Sequence, residues 1–422
     1  MASSSRRNNP ADDNAPRRSV IVTFKAKDKR ADTSTDKLEI LTQAISSPMQ
    51  FLDAADMIAT AGVEGLQRVA SAVGEPEEIG FDVNLYEAPI VSLSLTEAEI
   101  KALKGNPNIA AVEDDGLCYA LPAEALVFED QPIVAAETVP IGVSQIKSPA
   151  AWGASRGKGI RVAVLDTGID WTHPDLTANV KGAVSFVPGE TAMDGHSHGT
   201  HCAGTIGAAI NGIGVVGVAP EASLYAVKVL SNSGSGNWSY LIAGLAWCVK
   251  NKIRIASMSL GGGGVPVALK TMCDAAFDAG VLLVAAAGNT GATGGAVTFP
   301  GKYKKVIAVS AVDSSNVLAS FSAHGPEVEL CAPGVNVLST IPGGGYGKKS
   351  GTSMACPHVA GAAAVAWGAH RFATNSQIWN LLAQTADNLG VPGWDPNFGY
   401  GRVDADQAAG ALVPAPTAPM KP

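Results

Sequence analysis

The serine in Gly351-Thr352-Ser353-Met354-Ala355 stands directly ahead of an apolar run, Cys356 to Ala366, and has the surroundings of a nucleophile. The run reads as a tightly packed helix, with Pro357 acceptable only in its first turn. Ser353 then lies at a helix N-terminus, where free N–H groups and the positive dipole end favour negative charge on a reacting oxygen. A hydroxyl still needs a base for its proton and donors for the oxyanion. Three other segments offer such groups. Arg161-Val162-Ala163-Val164-Leu165-Asp166-Thr167-Gly168 places Asp166 at the carboxyl end of a buried strand, the edge where open α/β sheets form active sites. A turn or cap aspartate is the alternative for this segment taken alone. Asp194 to Thr205 holds three of the seven histidines. His198 opens a small-residue helix there, and a histidine base needs a carboxylate to fix its tautomer, which Asp166 can supply. The alternative is three loop or core histidines bonded to backbone. Val284 to Gly291 ends a further strand at Asn289, whose amide N–H₂ suits an oxyanion, although Gly-Asn after a strand is also an ordinary turn.

These groups are far apart in the chain, so a large sheet must gather them. The 422 residues are 46% hydrophobic and 16% charged, with 47 glycines concentrated after residue 150, which implies a folded chain of more than one domain. A net charge of -8 argues against nucleic acid as a partner, and no apolar run is long enough for a membrane span. The N-terminal stretch has no apolar segment of the signal-peptide kind. The six cysteines lack metal or redox spacing and read as buried free thiols, with a Cys248–Cys273 bridge as the alternative.

Residues 1–18 read as disordered. Strands are expected near 20–25, 88–93 and 109–113. A helix pattern runs from Asp36 to Val73 with a break near Pro48, and a second helix is capped by Ser94 or Thr96. Together these make a small α+β domain. A proline-rich, acidic linker follows. From residue 137, short apolar strands at 161–165, 223–228, 255–259, 281–286 and 306–311 alternate with helices, which implies a parallel sheet covered on both faces. Residues 412–422 read as a proline-rich tail with no core to join.

Asp166, His198, Asn289 and Ser353 occur in the order of the subtilisin-type serine proteases. Residues 137 to about 410 resemble that family in Val164 to Asp170, His198 to Thr205, Ala286 to Asn289 and Gly351 to Gly361. The resemblance implies a doubly wound, mainly parallel α/β fold (137–411) preceded by a ferredoxin-like α+β inhibitory propeptide (19–121) and a 122–136 linker that holds the maturation cut. Leu121 aligns with the usual propeptide end. The residue after it, Pro122, is poor beyond a scissile bond, and Ala135–Ala136 is the favoured cut. The resemblance also implies a monomeric serine endopeptidase acting on protein substrates, with the propeptide as folding aid and inhibitor. Ser353 is its nucleophile, His198 its base and acid, Asp166 the orienting carboxylate, and Asn289 with the Ser353 N–H its oxyanion donors. Ser259-Leu260-Gly261-Gly262 and Ala286-Ala287-Gly288 match the uncharged walls of the main pocket, so large apolar residues are expected before the scissile bond. Leu230, Trp238 and Leu260 match a second apolar pocket. A structural Ca²⁺ is implied at the side chains of Glu137, Asp175 and Asn211 and the carbonyls of Ala209, Ile213 and Val215, and a weaker one near the carbonyls of Gly301, Tyr303 and Val306. Secretion is the family habit; the missing signal segment and free cysteines fit the cytoplasm as well.

Three other readings are weaker. An aspartic protease needs a second Asp-Thr-Gly or Asp-Ser-Gly, and the sequence has none. A metallohydrolase reading of His196, His198 and His201 meets Thr200 where that motif needs aspartate. A binding module derived from a dead protease fails on the presence of all four groups.

Overall fold

The computed structural model describes residues 16–25, 41, 50–52, 79–81, 90–121 and 136–415, less 265, 292 and 293. The N-terminal elements are β1 (Arg17–Phe24), β2 (Gln50–Leu52), β3 (Ile79–Phe81), β4 (Ile90–Thr96), α1 (Glu97–Lys104), β5 (Ile109–Asp114) and β6 (Leu117–Ala120). There follow α2 (Ile141–Gln145), α3 (Ser148–Ala151), β7 (Arg161–Asp166), β8 (Val180–Ser185), α4 (His198–Gly207), β9 (Ser223–Lys228), β10 (Ser235–Asn237), α5 (Trp238–Lys250), β11 (Ile255–Met258), β12 (Leu260–Gly261), α6 (Val267–Asp278) and β13 (Leu282–Ala286). The chain closes with β14 (Ile307–Val312), β15 (Val328–Pro333), β16 (Val337–Ile341), β17 (Gly345–Lys349), α7 (Thr352–Ala369), α8 (Asn375–Gln384) and α9 (Ala405–Gly410).

Seven parallel strands form the central sheet in the order β15-β14-β13-β11-β7-β9-β8. From β7 the chain runs to the edge strand β8, returns to β9 between them, then crosses to β11 on the other side of β7 and builds outward from there. The carboxyl ends of β7 and β11 therefore flank a topological switch point, where a crevice opens. The strands at 161, 223, 255, 282 and 307 match the sequence reading to within a residue. The partly buried runs of β8, β16 and β17, and β15, which is buried but interrupted by Glu329, carry no such apolar signal.

Strand β7 shows why both faces are covered. Leu165 meets α5, where a Cβ at Gly244 would stand 3.2 Å from its Cδ2. Its neighbour Asp166 points the other way, against α4, where a Cβ at Gly199 would stand 3.2 Å from the Asp166 Cβ. Alternation along a strand thus sends a leucine into one helix layer and a carboxylate into the other. Helix α7 is buried along Thr352–Trp367 and is apolar all round, as a central helix must be.

The N-terminal sheet, β4-β1-β5, is antiparallel. Val20, Val22 and Phe24 face its own small core, whereas Ile21 joins the large core. Thr96 and Glu99 close a capping box on α1. Three sequence expectations need correction here. Residues 17 and 18 are strand rather than disordered, because Arg17 and Arg18 pair with Thr96 and Leu95 and Arg18 bridges Glu97 and Asp114. Residues 50–52, inside the expected 36–73 helix, form a strand parallel to Ile79–Phe81, so pairing overrides the helical period. Apart from Leu41, which is helical, the rest of that stretch lies outside the described residues, as do 1–15 and 122–135. The C-terminal tail does find a core: Val413 packs against it and the Pro414 carbonyl accepts from Gln377 Nε2.

The turn after β7 approaches α4 so closely that a Cβ on Gly199 would meet the Gly168 oxygen at 2.1 Å. Backbone cannot yield there as a flexible side chain would. Gly199→Ala is expected to lower stability by about 1–3 kcal/mol, the usual cost of overpacking, read by denaturant unfolding of the inactive Ser353→Ala form. An unchanged midpoint would contradict the contact.

Candidate active site

Asp166 ends β7 fully buried. Its Oδ1 accepts from the Thr167 N–H at 2.7 Å and lies 2.8 Å from His198 Nδ1, with Oδ2 at 3.0 Å. This two-oxygen grip puts the proton on Nδ1 and leaves Nε2 as the basic nitrogen. His198 is the first residue of α4. Asp194 holds that helix start by accepting the N–H groups of His196, Ser197 and Thr200 and the Thr200 hydroxyl. A carboxylate at a helix N-terminus is stabilising there. Thr167 ties the two segments together, giving its hydroxyl to Asp194 and taking the Gly199 N–H. The buried Lys228 donates to the Thr167 carbonyl at 2.5 Å and pairs with Glu190 at 3.1 Å.

Ser353 is the second residue of α7. Pro357 therefore sits in the second turn of that helix, not the first as its sequence position implied. Proline has no N–H, so the helical bond it would give to the Ser353 carbonyl is missing. Two other donors fill the gap: Ser259 Oγ at 2.8 Å and Cys202 Sγ at 3.5 Å. Ser353 Oγ returns a bond to the Ser259 carbonyl at 3.0 Å. The nucleophile is thus fastened to the end of β11 and to α4 at once. In this state Ser353 Oγ does not bond His198, whose Nε2 is buried without a partner. Catalytic hydrogen bonds of this kind tighten only when substrate is bound.

Asn289 is positioned from behind. Its Oδ1 accepts both the N–H and the hydroxyl of Thr352, at 2.9 and 2.8 Å, and the Thr352 hydroxyl also takes the Gly288 N–H. With the oxygen fixed, the N–H₂ end faces the other way. A Cβ on Gly351 would stand 3.2 Å from Asn289 Nδ2 and 3.7 Å from Ser353 N, so both donors border the same spot.

A groove beside these groups is already filled by the chain itself. Strand β6 lies antiparallel between β10 and β12. Ala120 N–H donates to the Gly234 carbonyl at 2.8 Å. Leu121, buried, points at Gly261, where a Cβ would stand 3.2 Å from its Cδ2 and 2.5 Å from Thr298 Oγ1. Cys118, also buried, donates to the Gly236 carbonyl and shares a core with Leu230, Trp238 and Leu260. Tyr119 and Leu117 alternate outward. Trp238 proves to be a buried residue opening α5, with Gly262 beneath its ring. Gly288 shares the neighbour Thr298 with Gly261 and takes a positive φ of 121° that a side chain would resist. Two carboxylates anchor the approach to β6. Glu113 accepts from the N–H groups of Val267 and Ala268 at the start of α6, and Asp115 accepts from the N–H and hydroxyl of Ser239 at the start of α5.

Among the described residues the one cluster of metal-ligand type is Asp166, His198 and Cys202, and His196 and His201 lie outside it. His201 Nε2 lies against the carbonyls of Val337 and Gly347, and burial drives its pKa well below the ordinary value. His196 is also held down, by burial first and then by His198. All six cysteines are buried free thiols, so Cys248 and Cys273 are not bridged. Burial raises their pKa values, to about 11 for Cys356.

Glu137, Asp175 and Asn211 come together as expected. Glu137 Oε1 accepts from the N–H groups of Asn211 and Gly212, and Asp175 accepts from Val215 N–H and Asn211 Nδ2. Ala209, Ile213 and Val215 belong to the same loop. The carbonyls of Gly301, Tyr303 and Val306 fall in one turn, where Tyr303 accepts from Val306 N–H. Sequence reasoning gave no role to Thr352 or Lys228. Asp194, four residues before α4 and outside its N-cap position, carried no capping signal of the ordinary spacing.

Comparison with known proteins agrees with this geometry. The Subtilase family profile matches residues 157–401. The chain is 47% identical to subtilisin E of Bacillus subtilis over 321 residues, 75% of this chain and 79% of that protein. It is 50% identical to a subtilisin of Bacillus pumilus over 279 residues, 65% of this chain and all of the other. An alkaline protease of Shouchella clausii is 44% identical over 351 residues, 82% and 86% of the two chains. With more than half the chain matched by the family profile, and its acid, imidazole and hydroxyl gathered at one sheet edge, the protein belongs to the subtilase family and is a serine endopeptidase.

Proposed function

We propose that Asp166, His198 and Ser353 act as the triad of this endopeptidase, through an acyl-enzyme. Ser353 Oγ attacks the scissile carbonyl as His198 Nε2 takes its proton. The imidazolium, steadied by Asp166, then returns that proton to the leaving amine, and a water repeats the sequence to release the acid. Asn289 Nδ2 and the Ser353 N–H receive the oxyanion. What supports this reading most is the paired contact of His198 Nδ1 with both Asp166 oxygens, which leaves Nε2 basic and unpartnered beside α7.

Large apolar residues fit before the scissile bond. Leu121 supports this, since its buried side chain packs against Gly261, which itself abuts Thr298. Residues 117–121 occupy the groove as a substrate would, and the N-terminal sheet behind them is held by Glu113 and Asp115 on two helix starts. The N-terminal region therefore acts as inhibitor and folding template, and the chain is a zymogen that matures by cutting itself. The groove is filled up to Leu121, which favours a first cut at its carbonyl; Pro122 beyond that bond opposes it, and the Ala135–Ala136 bond carries no such obstacle.

The loop that joins Glu137, Asp175 and Asn211 fits Ca²⁺. Its donors are all oxygens, two of them carboxylates, with the carbonyls of Ala209, Ile213 and Val215 to complete the shell. The Asn211 amide now gives its N–H₂ to Asp175, and ion binding would turn its oxygen inward. A bound ion would supply a cross-link between the start of the catalytic region and the loop after α4.

Ser353→Ala is expected to abolish casein hydrolysis and leave a single uncut chain. Normal self-cleavage in that variant would remove the assignment. Chelation is expected to speed thermal inactivation of the mature enzyme at least tenfold, and Asp175→Asn should erase that difference. Equal inactivation rates with and without chelator would count against the ion.

A further inference from the structure

The amino ends of the central strands form the edge opposite the catalytic groups, and this edge is basic. Lys158 and Arg161 lead into β7, Lys252 and Arg254 lead into β11, and Arg371 follows α7; all five are exposed. They form one continuous face. Arg371 Nη2 donates to the Lys158 carbonyl at 3.4 Å, Arg161 Nη1 donates to the Asn251 carbonyl at 2.9 Å, and the Arg254 N–H donates to the Arg161 carbonyl at 3.0 Å. Glu221, Asp278 and Glu327, which border this edge, are already paired with Arg156, Lys305 and Lys302. Among the described residues no ion pair joins the five cations to a carboxylate. On a chain of net charge -8 this is a segregated patch of positive charge.

One corner of this face is also apolar. Phe372 is 102% exposed and Leu412 94%, the highest values for large hydrophobic side chains among the described residues. They belong to segments that run together. His370 Nε2 lies 3.2 Å from the Ala408 carbonyl, and Gln377 Nε2 donates to the Pro414 carbonyl at 2.9 Å. Phe372 stands between these two contacts on one segment and Leu412 stands between them on the other. Arg371, beside Phe372, joins the corner to Lys158. Residues 407–422 hold Lys421 and no aspartate or glutamate. Large apolar side chains left in water beside cations match the surface of a bilayer, where the apolar groups sink below the headgroups and the cations stay among the phosphates. Leu412 has no ring to stack, so it offers nothing to a nucleic-acid base.

We propose that this face docks the enzyme onto a membrane surface rich in anionic phospholipid. Phe372 and Leu412 are the inserting groups, and Lys158, Arg161, Lys252, Arg254 and Arg371 are the headgroup contacts. A surface contact of this kind needs no spanning segment. Each cation near an anionic bilayer adds to the attraction, which decays within a Debye length. Asp166 ends β7 at the other edge of the sheet, so the docked enzyme turns its substrate groove away from the bilayer.

The test uses the full chain carrying Ser353→Ala, so that self-cutting does not change the species measured. It is mixed with sucrose-loaded vesicles of phosphatidylcholine, with or without phosphatidylserine, and sedimented. Binding is expected to be about tenfold stronger with phosphatidylserine at near-physiological salt, and to be lost at about 0.5 M salt. Lys158→Gln combined with Arg371→Gln should weaken it about tenfold, and Phe372→Ser combined with Leu412→Ser by a similar factor. The same pairs of substitutions in the active chain should leave casein hydrolysis unchanged, which shows that the variants fold. The parent's response to phosphatidylserine and salt decides the matter even where a variant does not fold. Equal sedimentation with both vesicles, sedimentation with neither, or binding that survives both pairs of substitutions overturns the proposal. Capture of single-stranded DNA in preference to phosphatidylserine vesicles does so as well.

Discussion

A carboxylate buried without water must find donors or lose its charge, and in this chain Asp166 finds them in the Thr167 N–H and the His198 imidazole. Much of the architecture serves that encounter. The parallel sheet carries Asp166 to the switch point between β7 and β11. Gly199 lets α4 come within contact of the turn after β7. Asp194 and Thr167 then tie the helix start to that turn, and Lys228 pins the turn from the far side. Removal of one partner would leave a buried charge unanswered, so the pair is costly to break even where its net contribution to stability is small.

The nucleophile is fixed by a second device, which is a missing hydrogen bond. Pro357 cannot donate to the Ser353 carbonyl. The vacancy is taken by Ser259 and Cys202, one at the end of β11 and one inside α4. The start of α7 is thereby held by the strand that borders the substrate groove and by the helix that carries the base. Thr352 extends the same logic to Asn289 by clamping the amide oxygen. Substrate groove, nucleophile, base and oxyanion donor are in this way joined through short polar contacts.

The sequence revealed the site more fully than it revealed its supports. Asp166, His198, Asn289 and Ser353 each sit at the end of a regular element, where apolar periodicity stops and a polar residue stands out. Both signals are local and survive in one dimension. Five of the seven strands of the central sheet were legible for the same reason, since β7 or β13 is an unbroken apolar run, whereas β8 and β15 were not. Strands β16 and β17 were not, because a half-buried hairpin of glycine, serine and lysine carries no strong period. Gln50–Leu52 was misread as helix because its pairing partner lies almost thirty residues away. Thr352 was passed over because its importance comes from a neighbour distant in the chain, Asn289. The tail residues Val413 and Pro414 were similarly hidden, as their composition resembles a linker while their contacts are those of a core.

The central claim is that His198 makes Ser353 nucleophilic. It is tested most directly by mass spectrometry of the mature protein after treatment with a serine-directed sulfonyl fluoride. The account predicts one adduct, on Ser353, formed in the parent and lost in His198→Ala. An adduct on another residue, or labelling of Ser353 at the parent rate without His198, would contradict it.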